Sequence, residues 1–141
     1  MREKTTNLSS GLEDYIEAIY TASIDNIQLK GAELARKLNI SRASVSEALS
    51  KLVSKGLIKY NSYEAISLTP AGFEEAKKVY EKHNVLKDFF EVVLNVSSAE
   101  ASENACQIEH IISQNILDRI IKLTDFCKNN KEFLEEFKQK I

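Results

Sequence analysis

The chain has little of what breaks, staples or anchors a fold. Its 141 residues include one proline and four glycines, so long helices are permitted over most of the length. Two cysteines, Cys106 and Cys127, are too few for a disulfide scaffold and suit a reduced compartment. No apolar run approaches the roughly 20 residues that a membrane-spanning helix needs, so no membrane association is expected. The opening Met-Arg-Glu-Lys-Thr-Thr contains no apolar signal core, and a cytoplasmic protein is expected. Internal repeats and low-complexity tracts are missing as well. What is present is 43% hydrophobic residues, enough for a packed core rather than a disordered chain.

The net charge of −2 argues at first against a polyanionic partner. Its distribution reverses that reading. Between Lys30 and Tyr63 there are seven basic residues (Lys30, Arg36, Lys37, Arg42, Lys51, Lys55 and Lys59) against two acidic ones, Glu33 and Glu47. That segment carries +5 and the rest of the chain −7. A locally basic segment suits phosphate contact, although an ordinary solvated face has the same composition.

The patterning places that segment in a recognisable order of elements. Ser10-Gly-Leu-Glu13 fits a capping box with Ser10 as the N-cap, followed by a helix of about 14 residues with Leu12, Ile16, Ile19 and Tyr20 on its apolar stripe. Lys30 to Leu38 reads as a short helix, Asn39-Ile40 as a turn, and Ser41 as the cap of the next helix. Val45, Leu49, Leu52 and Val53 form that helix's buried side, and Gly56 sits where a left-handed C-terminal cap belongs. Two short strands, Leu57–Tyr60 and Ala65–Leu68, then make a hairpin. Thr69-Pro70 restarts a helix that runs to about Leu94. Ser97 opens another, expected to continue to about Phe126, with Cys127 in the core and a last helix over Lys131–Lys140. The expected fold is mainly α. A winged helix-turn-helix domain spans residues 1–72, and an all-helical domain over 73–141 carries metal binding and dimerisation. The second half holds more Leu, Ile, Val and Phe than its own helices need, and a homodimer interface is the natural sink for them.

In a helix-turn-helix the second helix enters the major groove with its N-terminal residues nearest the bases. The candidate DNA-binding residues are therefore Ser41, Arg42, Ala43, Ser44 and Ser46, with Lys51, Tyr60 and Tyr63 placed to reach phosphates. Glu47 is unusual in a negative groove and reads as solvent-facing.

Six residues in three separate pieces have metal-ligand chemistry: Asp14 and Glu17, then His83, then Cys106, Glu109 and His110. Positions i, i+3 and i+4 project from one face of a helix, so a thiolate, a carboxylate and an imidazole converge. Asp14 and Glu17, three apart, share a face too. Taken singly each has an ordinary explanation: acids favour the first turns of a helix, and a lone cysteine is often a small core residue. Together, carboxylates and imidazoles suit divalent first-row ions, and the thiolate adds softness. The set has room for one or two ions per subunit.

These features coincide with longer matching runs: Leu12-Glu-Asp-Tyr-Ile-Glu-Ala-Ile-Tyr20, Ser41-Arg-Ala-Ser-Val-Ser46, Lys51-Leu-Val-Ser-Lys-Gly-Leu57, Leu68-Thr-Pro-Ala-Gly72, His83 and Cys106-Gln-Ile-Glu-His110. On these runs nearly the whole chain resembles the diphtheria-toxin-repressor and manganese-transport-regulator family of metal-dependent repressors. The length resembles the short form, without an SH3-like domain. The resemblance implies a homodimeric transcriptional repressor that binds double-stranded operator DNA when Mn2+ or Fe2+ is replete, with the six residues above as ligands. Three departures stand out. Cys106 occupies a place where the manganese branch usually has a carboxylate. Lys87 and Ser102 stand where the iron branch's ancillary site has a carboxylate and a histidine. Glu64-Ala65 stands in the wing where glycine is common. Two other readings remain open: a winged-helix regulator switched by oxidation of Cys106, or one switched by an organic ligand, in either case without metal. An enzyme is not expected, because nothing supplies a substrate pocket or a separate acid–base pair, and no organic substrate is implied.

Overall fold

The computed structural model describes residues 8–61 and 64–141. It divides into two compact units, Met1–Lys78 and Val79–Ile141. The elements in chain order are α1 (Ser10–Ile24), α2 (Gly31–Leu38), α3 (Arg42–Ser54), β1 (Ile58–Lys59), β2 (Ser67–Leu68), α4 (Pro70–Val92), α5 (Ser98–Ile108), α6 (Gln114–Asn129) and α7 (Lys131–Lys138). No helix among the described residues is long and apolar enough to cross a membrane.

In the first unit α1 is capped by Ser9, whose Oγ accepts from the Leu12 amide at 3.3 Å. This corrects the expected cap by one residue. Ser9 holds extended backbone and Ser10 is already helical, so Glu13 lies one position beyond the place a capping box requires. Ser41 caps α3 as expected, accepting from the Ser44 amide at 3.1 Å. The ends of the first three helices show why so few glycines suffice. Asn26, Asn39 and Gly56 all take left-handed backbone angles. The amides that follow them, on Ile27, Ile40 and Leu57, reach back to the carbonyls of Ala22, Ala35 and Leu52. This is the Schellman closure, built once on glycine and twice on asparagine.

The core of this unit is Ile16, Ile19, Leu34, Val45, Leu49 and Leu52, each nearly or wholly inaccessible to solvent. Val53 is not part of it, being 43% exposed, and Ala48 takes the buried place. At 100° per residue, Val53 has rotated to the edge of a stripe centred on Val45, Ala48, Leu49 and Leu52. The hairpin is shorter than expected: two residues per strand, antiparallel, with Ile58 opposite Leu68 and Lys59 opposite Ser67. The Ile66 amide also donates to the Leu29 carbonyl at 2.8 Å, which fastens the hairpin to the connection after α1. Tyr63 lies outside the described residues.

Thr69 joins the wing to α4. Its hydroxyl donates to the Gly56 carbonyl at 2.6 Å and accepts from the Gly72 amide at 3.1 Å, so the expected Thr-Pro restart is made. Gly72 is dictated by packing: a Cβ there would lie 1.8 Å from the Leu57 carbonyl oxygen.

The second unit has two small cores. Leu86, Ala105 and Leu117 form one, with Val85, Phe90, Ile108, Ile112 and Ile120 against it. Val93, Cys127 and Leu134 form the other, so Cys127 is the buried core residue expected. The expected continuous helix to Phe126 is broken. The amides of Ile111 and Ile112 both turn back to the Ile108 carbonyl, and Ser113 in extended backbone caps α6 by accepting from the Ile116 amide. The break needs neither glycine nor proline, because a serine cap and a tight turn satisfy the backbone. Ile116, Leu123, Phe126 and Phe133 remain exposed, and the last two rings meet edge to face at 5.8 Å.

Candidate metal centre

His83 occupies the α4 stripe that also carries the buried Val79 and Leu86, four residues before it and three after it. The stripe therefore directs the imidazole inward, toward α5. Ala101 and Ala105, both fully buried, keep α5 thin along the line where Ser102, Cys106 and Glu109 lie at i, i+4 and i+7. The result is convergence. His83 Nδ1 is 2.8 Å from Glu109 Oε2 and 3.7 Å from Cys106 Sγ. The ligand atoms of His83, Cys106 and Glu109 all lie within 4.8 Å of one another. Glu109 is 1% exposed, the imidazole of His83 is 13% exposed, and Cys106 opens to solvent.

These separations suit a shared ion. Donors about 2.0–2.3 Å from a common metal lie roughly 3–4 Å from each other. The His83–Glu109 contact is shorter, as expected where a proton bridges a ring nitrogen and a carboxylate. The donor set is one nitrogen, one sulfur and one carboxylate, which fits a divalent first-row ion with further positions to fill.

His110 lies beside this cluster with Nε2 3.8 Å from Glu109 Oε1, and its side chain is 8% exposed. It does not reach that place along an unbroken helix. Glu109 is the C-cap of α5 and still donates its amide to the Ala105 carbonyl, so Cys106 and Glu109 keep helical spacing. His110 follows in the turn. Asp14 and Glu17 are on α1 in the first unit, Asp14 exposed and Glu17 half-buried. The residue that sequence reasoning did not place in the centre is Ser102, whose Oγ is 3.4 Å from His83 Nε2. Its spacing from Cys106 and Glu109 was the available signal.

The candidate DNA-reading residues fall on one exposed surface of α3. Ser41, Arg42, Ala43, Ser44, Ser46 and Lys51 are all exposed, on the side opposite the buried Val45, Ala48, Leu49 and Leu52. Ser41 Oγ also donates to Ser44 Oγ at 2.9 Å, so the two hydroxyls are coupled. Glu47 is exposed as expected, and it pairs with Lys51 at 3.3 Å along the same helix. Tyr60 is half-buried, with its hydroxyl 3.3 Å from where a Cβ on Gly31 would stand. Burial first, then the charge of Glu47, raises the pKa of Tyr15 above the ordinary tyrosine value.

Residues 7–66 match the family described as "Iron dependent repressor, N-terminal DNA binding domain". Residues 69–137 match "Iron dependent repressor, metal binding and dimerisation domain". An uncharacterized HTH-type transcriptional regulator of Methanocaldococcus jannaschii is 38% identical over 135 residues, which is 95% of this chain and 100% of that protein. The HTH-type transcriptional regulator MntR of Listeria welshimeri is 31% identical over 127 residues, 90% of this chain and 89% of that one. Among solved structures, the manganese regulator SloR superposes with a TM-score of 0.72 at 29% identity over 82% of this chain. The present chain spans 54% of the SloR chain's length.

Proposed function

We propose that this chain, which belongs to the iron dependent repressor family, is a DNA-binding transcriptional repressor that depends on Mn2+ or Fe2+ and controls metal-ion homeostasis. The observation that carries the reading is the convergence of His83, Cys106 and Glu109 inside the helical unit. The proposed ligand set adds His110 from the following turn and Asp14 and Glu17 from α1. Support for the last two is their i, i+3 spacing on a helix and the family resemblance.

When bound, the ion supplies positive charge that carboxylates otherwise repelled by one another can share. Asp14 and Glu17 lie on the helix that packs against α2 and α3, so ordering them orders the reading unit. Ser41, Arg42, Ala43, Ser44, Ser46 and Lys51, with Tyr60 and Tyr63 beside the wing, form the proposed operator-facing surface. A reading unit ordered in advance pays less entropy on meeting DNA. Two-fold operators suit a homodimer. The exposed Ile116, Leu123, Phe126 and Phe133 supply apolar surface for one. The setting is cytoplasmic, and the protein acts as a regulator rather than an enzyme.

Raw affinity does not select Mn2+ or Fe2+, since both sit low in the Irving–Williams order. Selection rests on coordination number, geometry and availability. The acid-rich set favours Mn2+, while Cys106 favours Fe2+ and binds Zn2+ tightly.

The test is a gel-shift titration on duplexes recovered by in vitro selection with the protein in Mn2+. Binding should appear with Mn2+ or Fe2+ and vanish with chelator. Equal binding in chelator would remove the proposal. The exposure of Cys106 favours one alternative, a thiol-oxidation switch. Retained metal dependence with a lost peroxide response in Cys106→Ser would support it.

A further inference from the structure

We infer that Ser102 is a positioning residue of the metal centre: it holds Nε2 of His83 and so presents Nδ1 to Glu109 and Cys106. The inference rests on the metal-dependent reading above and deepens it.

An imidazole has two nitrogens, and only one of them faces the ligand cluster. Nδ1 lies 2.8 Å from Glu109 Oε2 and 3.7 Å from Cys106 Sγ, while Nε2 lies 3.4 Å from Ser102 Oγ. A half-turn of the ring would put a carbon where Nδ1 now stands. Packing against near-planar neighbours distinguishes carbon from nitrogen poorly, so polar contacts on the two sides must hold the orientation. Glu109 supplies one contact and Ser102 the other.

The two contacts are not equivalent once an ion is bound. A ring nitrogen that gives its lone pair to a metal carries no proton, so the other nitrogen becomes the N–H and needs an acceptor. With the His83 side chain only 13% exposed, solvent is a poor substitute. The Ser102 hydroxyl is in reach, and a hydroxyl can also donate, so it serves whichever nitrogen carries the proton. Lys87, one turn along α4 from His83, points instead to Glu91 at 4.0 Å. The position of Ser102 follows from α5 itself, where it lies one turn before Cys106 and two before Glu109 on the same face. One helix thus supplies two ligands and the group that aims the third.

Removing a hydrogen-bond partner of a metal-bound histidine typically weakens affinity by about 10–100-fold, and a contact as long as 3.4 Å argues for the lower end. The test compares the full-length wild type with Ser102→Ala and Ser102→Thr. Mn2+ affinity is measured by competition with a chelating dye, and Zn2+-loaded samples are examined by long-range 1H–15N correlation of the histidine rings. Expected are an approximately 10-fold loss in Ser102→Ala and recovery to within about 3-fold in Ser102→Thr. In the wild type, the spectrum should show Nδ1 of His83 coordinated and Nε2 protonated. Undiminished affinity in Ser102→Ala, no rescue by Ser102→Thr, or coordination through Nε2 would each overturn the inference while leaving metal dependence intact. A wild type that binds neither Mn2+ nor Fe2+ would overturn the functional reading and this inference with it.

Discussion

Replacing Glu109 by glutamine separates an ion-binding role from a structural one. The carboxylate is 1% exposed and 2.8 Å from His83 Nδ1. Glutamine keeps its shape and an oxygen that still accepts from the ring, but not its charge. In the metal-free protein two effects oppose each other. A charge-assisted hydrogen bond contributes about 1.5–3 kcal/mol, and desolvating a buried carboxylate costs several kcal/mol, partly offset by its surroundings. The net change in metal-free stability should be small, on the order of 1 kcal/mol in either direction, or about 2–4 °C in the unfolding midpoint for a chain of this size. With metal the balance is one-sided. A unit charge beside a divalent ion at an effective dielectric of about 20 is worth on the order of 10 kcal/mol before desolvation is subtracted, so a loss of about 100-fold in affinity, roughly 2.7 kcal/mol, is a conservative expectation. At Mn2+ about 100-fold above the wild-type Kd, binding stabilises the fold by about 2.7 kcal/mol, or roughly 5–11 °C. In Glu109→Gln at the same Mn2+, stabilisation should fall to about 0.4 kcal/mol, near 1 °C. Thermal unfolding by circular dichroism, with and without Mn2+, reads both quantities. A variant that keeps most of the Mn2+ shift would refute the reasoning. So would a metal-free midpoint lowered by more than about 10 °C, which would make the carboxylate a structural ion-pair member instead.

Three further outcomes follow from the geometry. Gly72→Ala sets a Cβ 1.8 Å from a backbone oxygen, so it should destabilise the first unit by about 3 kcal/mol or more in urea unfolding, and a loss under about 1 kcal/mol would contradict the packing. Burial and Glu47 raise the Tyr15 pKa, so folding favours the neutral phenol. The corresponding stability is intact below pH about 10 and lost as pH rises through the raised value, a dependence that Tyr15→Phe should abolish and Glu47→Gln reduce, read from tyrosinate absorbance and unfolding. Glu47→Gln releases Lys51 from its 3.3 Å pair, so non-specific DNA affinity should rise and its salt slope steepen by about one unit; an unchanged slope would show that Lys51 makes no phosphate contact.

How much of this was legible beforehand depended on whether the signal was local. Ser41, Ser97 and Thr69-Pro70 were readable as helix starts because capping chemistry needs only the next three residues. Adjacent serines defeated the same logic at α1: Ser9 and Ser10 both satisfy the composition, and only the backbone angles decide between them. The turn at Ile108–Ser113 was hidden for a related reason. Four isoleucines, at 108, 111, 112 and 116, continue a helical apolar period straight through it, and Ser113 announces nothing from a single hydroxyl. The spacing argument for Cys106 and Glu109 held because the helical backbone lasts to Glu109, whereas His110 is set beside Glu109 by the turn. Burial of Val53 was mistaken because it needs the angular centre of the stripe rather than membership in it. The meeting of His83 with Cys106 and Glu109 joins elements 23 and 26 residues apart. Ligand chemistry suggested that meeting, and folding the helices together was needed to place it. Ser102 went unassigned because a serine has no ligand signature until a histidine nitrogen is found beside it.

The central claim, that these side chains form one cation-binding centre, is tested most directly by anomalous diffraction from crystals of the full chain grown in Mn2+. The account predicts a Mn2+ peak at bonding distance from His83 Nδ1, Cys106 Sγ and a carboxylate oxygen of Glu109. Crystals that contain no such peak at saturating Mn2+, or that place it away from all three, would contradict it.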